Sequence, residues 1–505
     1  MQSNFTTLDW IIFFSYFLVL ILTTVVLSQT RVKTSREYFT GGNAMPMFAV
    51  AISVLATSQS AATFLGGPES SYKGDLTFLG FYVSAFLAVI FVAKILVPKF
   101  YEVNAITVYE YLEYRYDESS KRYAGMMFLV GRLFASGARL YIGALAISMI
   151  LFSDIEVTHM IISISILMLG ALGYTYFGGV KSVIFSDILQ AITYVGAGIA
   201  VLVYLYYSLD SDLSSIISTL NANNKLNVIN FSFTGTFNVW TLFVGFFLLN
   251  IAAYGLDQDM TQRVLTCKNK KEGERSLIYS LIFTIPVVMM FLAIGLLLYL
   301  FYNPEISGFK GACIDQNVDG QSVTIFMLYI LNEMPEGLRG LVTVGAVAAA
   351  LSSSNSVLSA MSSVAIEDIY RPYASKEKSE AHFLKASRFM VVIFALLLSL
   401  MALLSYYWQQ YTQLDLLSFA LGVMAFAYAP LLGVYGAAIF TKRGSAEMLP
   451  YALLGGFLTV LISQPYIIGK LLDYKVDYSI MMLAGTLVAF LMMMTGSQNE
   501  QQSNR

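Results

Sequence analysis

Apolar residues follow one another in blocks of about twenty from residue 8 to residue 495, and this pattern leaves few folds open. A helix rising about 1.5 Å per residue needs roughly 20 apolar residues to cross the hydrocarbon core of a bilayer. A half-buried strand shows short alternation instead. Thirteen segments meet the helical requirement: 8–28, 44–69, 77–97, 123–150, 158–177, 182–207, 237–258, 276–301, 339–366, 386–407, 414–438, 447–468 and 478–495. The charged fraction of 12 % is about half that of an average soluble protein. The pattern predicts an all-α integral membrane protein, multi-pass, with the lipid bilayer as its surroundings.

Lysine and arginine placement gives the orientation, because cytoplasmic loops carry the excess. With the N-terminus outside, the cytoplasmic segments 29–43, 98–122, 178–181, 259–275, 367–388, 439–446 and the tail hold 21 of the 30 basic residues. The opposite loops hold six: Lys73, Lys225, Lys310, Arg339, Lys470 and Lys475. An N-out, C-in arrangement follows, which agrees with an odd number of spans. The opening MQSNFTTLDW has neither the positive n-region nor the small-residue cleavage site of a signal peptide, so the first span is expected to be retained. No basic stripe suggests a nucleic-acid partner. Cys267 and Cys313 fall on opposite sides of the membrane and are not expected to pair; His159 and His382 are too far apart to suggest a metal or catalytic cluster.

Polar groups inside spans are costly and point to function. In ISVLATSQSAATFLGGPESSYKG (52–74), Thr57, Ser58, Gln59, Ser60 and Thr63 precede Gly66-Gly67-Pro68. Two readings stand: a helix broken at Gly-Gly-Pro with carbonyls open to a cavity, or a kinked helix whose hydroxyls bond their own backbone. In GAVAAALSSSNSVLSAMSS (345–363), Ser352, Asn355, Ser356, Ser359 and Ser363 form one helical stripe. Small residues there permit close packing. An amide and a row of hydroxyls also supply the oxygen ligands that a hard monovalent cation wants. Arg132 and Arg139, seven residues apart, share one helix face. Each needs a carboxylate, either within the protein, such as Asp187, or on a bound solute.

These segments resemble the sodium:solute symporter family, whose members carry sugars, proline, pantothenate, monocarboxylates and sialic acid. The matching stretches are SREYFTGGNAMP, TVYEYLEYRYD, TYFGGVKSVIFSDILQ, YGLDQDMTQRVLTCKNKKEGERS and AAALSSSNSVLSAMSSVAIEDIY, in family order over residues 35–370. The resemblance implies a LeuT-type fold of two inverted five-helix repeats, about 44–207 and 237–438, with the first and sixth core helices broken near the midplane. The broken helices would be 44–69 and 237–258, the second interrupted at Asn250 and Gly255. Helices 8–28, 447–468 and 478–495 lie outside the repeats. Residues 1–496 are expected to form one transporter domain, with 497–505 a short cytoplasmic tail.

By resemblance, one sodium ion is held by the carbonyls of Ala56, Gln59 and Ala349 and the side chains of Ser352 and Ser353. A second ion, present in some relatives, implies Asp187, Ser352, Asn355 and Ser356, with Asn355 departing from the hydroxyl expected there. The substrate-facing positions implied are Ser58, Ser60, Thr63, Phe78 and Tyr82. Where sialic-acid relatives place an arginine for the carboxylate this chain has Ala135, with Arg132 and Arg139 about one turn to either side. The function implied is sodium-coupled import of a small organic solute, preferably carboxylate-bearing, by a monomer in a bacterial inner membrane. A neutral sugar, polyol or amino acid is the alternative cargo. A passive channel or solute sensor is the alternative of another class. No nucleophile–base pair or phosphate-cradling loop suggests an enzyme.

Overall fold

The computed structural model describes residues 5–28, 32–233, 237–309, 311, 317–318, 321–375, 377–412, 416–464, 467 and 476–496. The protein is helical almost throughout, with one short antiparallel pairing of Asn317–Val318 with Gln321–Ser322. Among the described residues, seven helices are long and apolar enough to cross a membrane, and two more spans are bent pairs. Shorter apolar helices cover Thr7–Thr23, Leu449–Ile462 and Tyr478–Met494.

The long helix Val157–Ser208 turns at Gly179, whose φ of 58° and ψ of −157° leave helical space. The sequence puts a glycine there for a physical reason: a Cβ would overlap the Tyr38 carbonyl. The segments 158–177 and 182–207 are thus joined with almost no loop. Segment 302–338, expected as an external loop, contains the buried apolar helix Ile325–Asn332, whose first N–H bonds Glu69 Oε2 at 2.7 Å. Cys267 is buried, whereas Cys313 lies outside the described residues.

The first bent pair, Met47–Ser58 and Ala61–Lys73, meets at 62°. Its break is not at Gly66-Gly67-Pro68, as the sequence suggested, but at Gln59 and Ser60, both extended (ψ 107° and 176°). Gly66, Gly67 and Pro68 lie buried inside the second half, within continuous helix. The neighbouring helix Lys270–Tyr302 comes so near that a Cβ on Gly295 would overlap the Pro68 carbonyl, and Ser71 Oγ donates across to the Leu292 carbonyl at 2.8 Å.

The second bent pair, Val239–Gly255 and Gln258–Val264, meets at 55°. Asn250 does not interrupt it: its amide donates to the Phe246 carbonyl at 2.9 Å within an intact helix. The chain breaks just after Gly255. The N–H groups of Leu256 and Asp257 both return to the Ala252 carbonyl, and the Asp257 carboxylate caps the next helix through the Asp259 N–H at 3.0 Å.

The serine-rich helix Leu338–Ser363 packs mainly on Val157–Ser208 and is buried along almost its whole length. Small residues make this contact possible: a Cβ on Gly345 would press into Ala197, and on the neighbouring helix Glu118–Phe152 a Cβ on Gly143 would press into Ala350. The stripe therefore faces protein rather than lipid.

Candidate functional site

Both helix breaks open on one cavity of about 80 Å³. Ser58, Ser60 and Thr63 reach it from the first broken helix, and Phe78 and Tyr82 from the start of the next. Arg139 enters from Glu118–Phe152. All five substrate-facing positions implied by resemblance thus share one wall with one of the two arginines. Beside the apolar Ala62, Phe81 and Ala253, the lining also takes in Asn250, Tyr254, Met260 and Met424. Sequence reasoning did not assign these four; Asn250 was noticed only as a polar break in an apolar run.

The two arginines part company. Arg139 is half-buried, and its Nη2 meets the Met424 sulfur at 3.1 Å, a weak acceptor. No carboxylate pairs with it among the described residues. Arg132 is 2 % exposed and lines no part of the cavity. It forms ion pairs with Asp259, by a very close contact, and with Asp257 at 3.2 Å. A substrate-contacting role for Arg132 is corrected accordingly: two carboxylates at the second helix break already hold its guanidinium. Tyr428 donates its hydroxyl to Asp257 from the opposite side.

Asp187, proposed from sequence as an arginine partner, pairs with Arg263 rather than with Arg132 or Arg139. Arg263 Nε and Nη2 each stand 3.3 Å from Asp187 Oδ2, and Nη1 is 3.0 Å from Asp259 Oδ1. Asp187 also accepts hydrogen bonds from Ser53 (2.5 Å) and Ser352 (2.8 Å). Arg263 was not singled out from the sequence, because it lies 76 residues from its partner. Its signal was a basic residue just past the second helix break, inside a predicted cytoplasmic loop.

The implied sodium ligands lie on two neighbouring helices. The first broken helix ends with Gln59 N–H bonded to the Leu55 carbonyl, so the carbonyls from Ala56 onward are terminal acceptors open to other partners. Ser352 and Ser353 lie on the facing serine-rich helix, and Ser353 Oγ donates to the Ala349 carbonyl at 3.3 Å. This donor set is all neutral oxygen, which suits a hard monovalent cation. In the second set, Ser352 bonds Asp187, while Thr57 Oγ1 lies 3.1 Å from Ser356 Oγ. Both atoms of the Asn355 amide are buried and unpartnered. Arg263 Nη2 bonds both Asp187 and Ser356 of this set.

Two broken helices around one small cavity are the arrangement of many secondary transporters. The chain belongs to the sodium:solute symporter family, whose model matches residues 38–458. It is 28 % identical over 470 residues to the sodium/sialic acid symporter SiaT of Proteus mirabilis (strain HI4320), covering 91 % of this chain and 90 % of that protein. It is 27 % identical over 432 residues to the human sodium-coupled monocarboxylate transporter 1, covering 84 % of this chain and 67 % of the other. The fold matches a sodium-coupled sialic acid symporter solved in a substrate-bound, outward-open state. That match has a TM-score of 0.82 at 24 % identity and covers 99 % of this chain and all of the other. Sodium-coupled symport, and not catalysis, is the activity of the chain.

Proposed function

We propose that the protein imports a small carboxylate-bearing solute, held in the cavity by Arg139 and coupled to sodium bound between the first broken helix and the serine-rich helix. The observation that carries this is the Arg139 guanidinium, which enters the cavity and, among the described residues, bonds a methionine sulfur and no carboxylate. A desolvated guanidinium without a carboxylate is costly, and a substrate carboxylate can bond it bidentately. The relatives that carry sialic acid and monocarboxylates agree, since both cargoes are carboxylates. The hydroxyls of Ser58, Ser60, Thr63 and Tyr82 favour a second reading, a neutral sugar or polyol.

The sodium ligands in this reading are the carbonyls of Ala56, Gln59 and Ala349 and the hydroxyls of Ser352 and Ser353. A second ion would use Asp187, Ser352, Asn355 and Ser356. The ion ties the broken helix to the serine-rich helix, favouring the state that binds solute; by linkage, solute then tightens sodium. The remaining architecture is thirteen spans in two inverted repeats, N-terminus outside and C-terminus cytoplasmic, working as a monomer in a bacterial inner membrane. A thermal-shift panel of sialic acids, monocarboxylates, amino acids and sugars, run in NaCl and in choline chloride, tests it. The reading expects an acidic solute to stabilise the protein only with sodium. Equal stabilisation in both salts refutes the coupling, and stabilisation by neutral sugars alone refutes the carboxylate.

A further inference from the structure

Below the sodium ligands the serine-rich helix carries polar atoms with no partner. Among the described residues, Asn355 has neither amide atom bonded, and Ser359 Oγ is unbonded one turn on; both residues are at most 1 % exposed. Ser363 follows at the same spacing, taking a hydrogen bond from Gln258 at 3.3 Å. The helix then widens into a π turn, Val364–Tyr370. In a π turn residues five apart fall on one face, so Asp368 continues the stripe that Ser363 would otherwise end.

Asp368 is fully buried. Its Oδ1 accepts from Thr107 Oγ1 at 2.7 Å, and its Oδ2 has no partner. Gly125 packs beside it: a Cβ there would press on Val364 at 3.0 Å and stand 3.6 Å from Oδ2. The charged groups that bear on it are Glu110, Glu367 and Lys121. The Lys121 ammonium is spent on Glu113 at 2.6 Å, and Arg371 on Glu367 and Glu380. Among the described residues no cation lies within ion-pair distance of Asp368. A buried carboxylate without a counter-ion is unfavourable, and in a membrane protein such a group marks an ion pathway.

We propose that Asp368 is a coordination station for sodium leaving towards the cytoplasm. Its free Oδ2, beneath the unpartnered Ser359 hydroxyl and Asn355 amide, takes the ion that Ser352 and Ser353 release. The distance from Ser352 to Asp368 is roughly 24 Å along the helix at 1.5 Å per residue, too far for one site and suited to a relay. This rests on the sodium-site reading and on the proposed orientation.

The test is solute uptake into vesicles of one orientation, with external and internal sodium varied separately. Internal sodium inhibits net uptake by refilling the exit route. In Asp368→Asn the internal sodium giving half-inhibition rises about tenfold or more, the size expected when a metal's surroundings lose a key partner. External half-saturation stays as in the wild type. Ser359→Ala, a mild change that keeps the testing possible if Asp368→Asn does not fold, shifts the same quantity in the same direction. Unchanged internal inhibition in both variants overturns the proposal. So does an inhibition that follows internal pH and not sodium, because Asp368 would then be holding a proton. Wild-type uptake indifferent to external sodium would instead remove the sodium-site reading, so the two failures are distinguishable.

Discussion

Replacing Arg139 with glutamine keeps a polar side chain of similar reach and removes the charge. In the empty cavity this guanidinium donates to the Met424 sulfur at 3.1 Å, a bond worth little. Removing an unpaired charge from the cavity should therefore leave the melting temperature unchanged or raised, not lowered. Bound to a carboxylate it becomes half of a desolvated charge pair, and truncating such a pair costs about 2–5 kcal/mol. At about 1.4 kcal/mol per decade, the dissociation constant for the acidic solute rises about 30- to 4,000-fold. An amide analogue of the same solute has no charge to lose, so its affinity changes little. Calorimetric titration of purified wild type and Arg139→Gln, in saturating sodium, with acid and amide measures the difference directly. An acid that binds the variant as tightly as the wild type refutes the role of Arg139.

Arg132→Gln should behave in the opposite way: it takes from Asp257 its ion-pair partner and leaves Asp259 with Arg263 alone, so melting shows a loss of about 3–5 kcal/mol, while acid and amide lose affinity alike. An unchanged melting temperature contradicts the ion-pair assignment. Gly179→Ala places a Cβ against the Tyr38 carbonyl at φ +58°, and the strain costs about 1 kcal/mol or more, read as a lowered melting temperature. Burial pushes the Cys267 thiol up to about 12, so at neutral pH it is almost wholly protonated and poorly nucleophilic. Alkylation of Cys267, followed by mass spectrometry of its peptide, should be far slower than for a free thiol and quicken with rising pH; labelling at the rate of an ordinary thiol at pH 7 contradicts its burial.

The apolar blocks were long enough to declare helices individually, and Ser352 and Ser353 stood out because hydroxyls in a buried helix need a reason. The placement of the first break was not legible in the same way. Gly66-Gly67-Pro68 weakens helix locally, yet packing against Gly295 and Ser71's bond to Leu292 hold it in place. Gln59 and Ser60 carry no comparable local mark, and their extended backbone follows from how the two halves dock. The arginines show a related limit. Spacing put Arg132 and Arg139 on one face, but only tertiary structure separates a guanidinium between Asp257 and Asp259 from one facing a cavity. Arg263 and Asp187 come together from two helices, a pairing no local pattern encodes.

The central claim is that sodium bound at Ser352 and Ser353 drives uptake of an acidic solute. The direct measurement is uptake into vesicles against external sodium, for wild type and Ser352→Ala. The account predicts accumulation that needs a sodium gradient, with half-saturating sodium raised about tenfold or more in the variant, as for loss of a metal's close partner. Uptake that proceeds equally in choline, or a variant with the wild-type sodium curve, would contradict it.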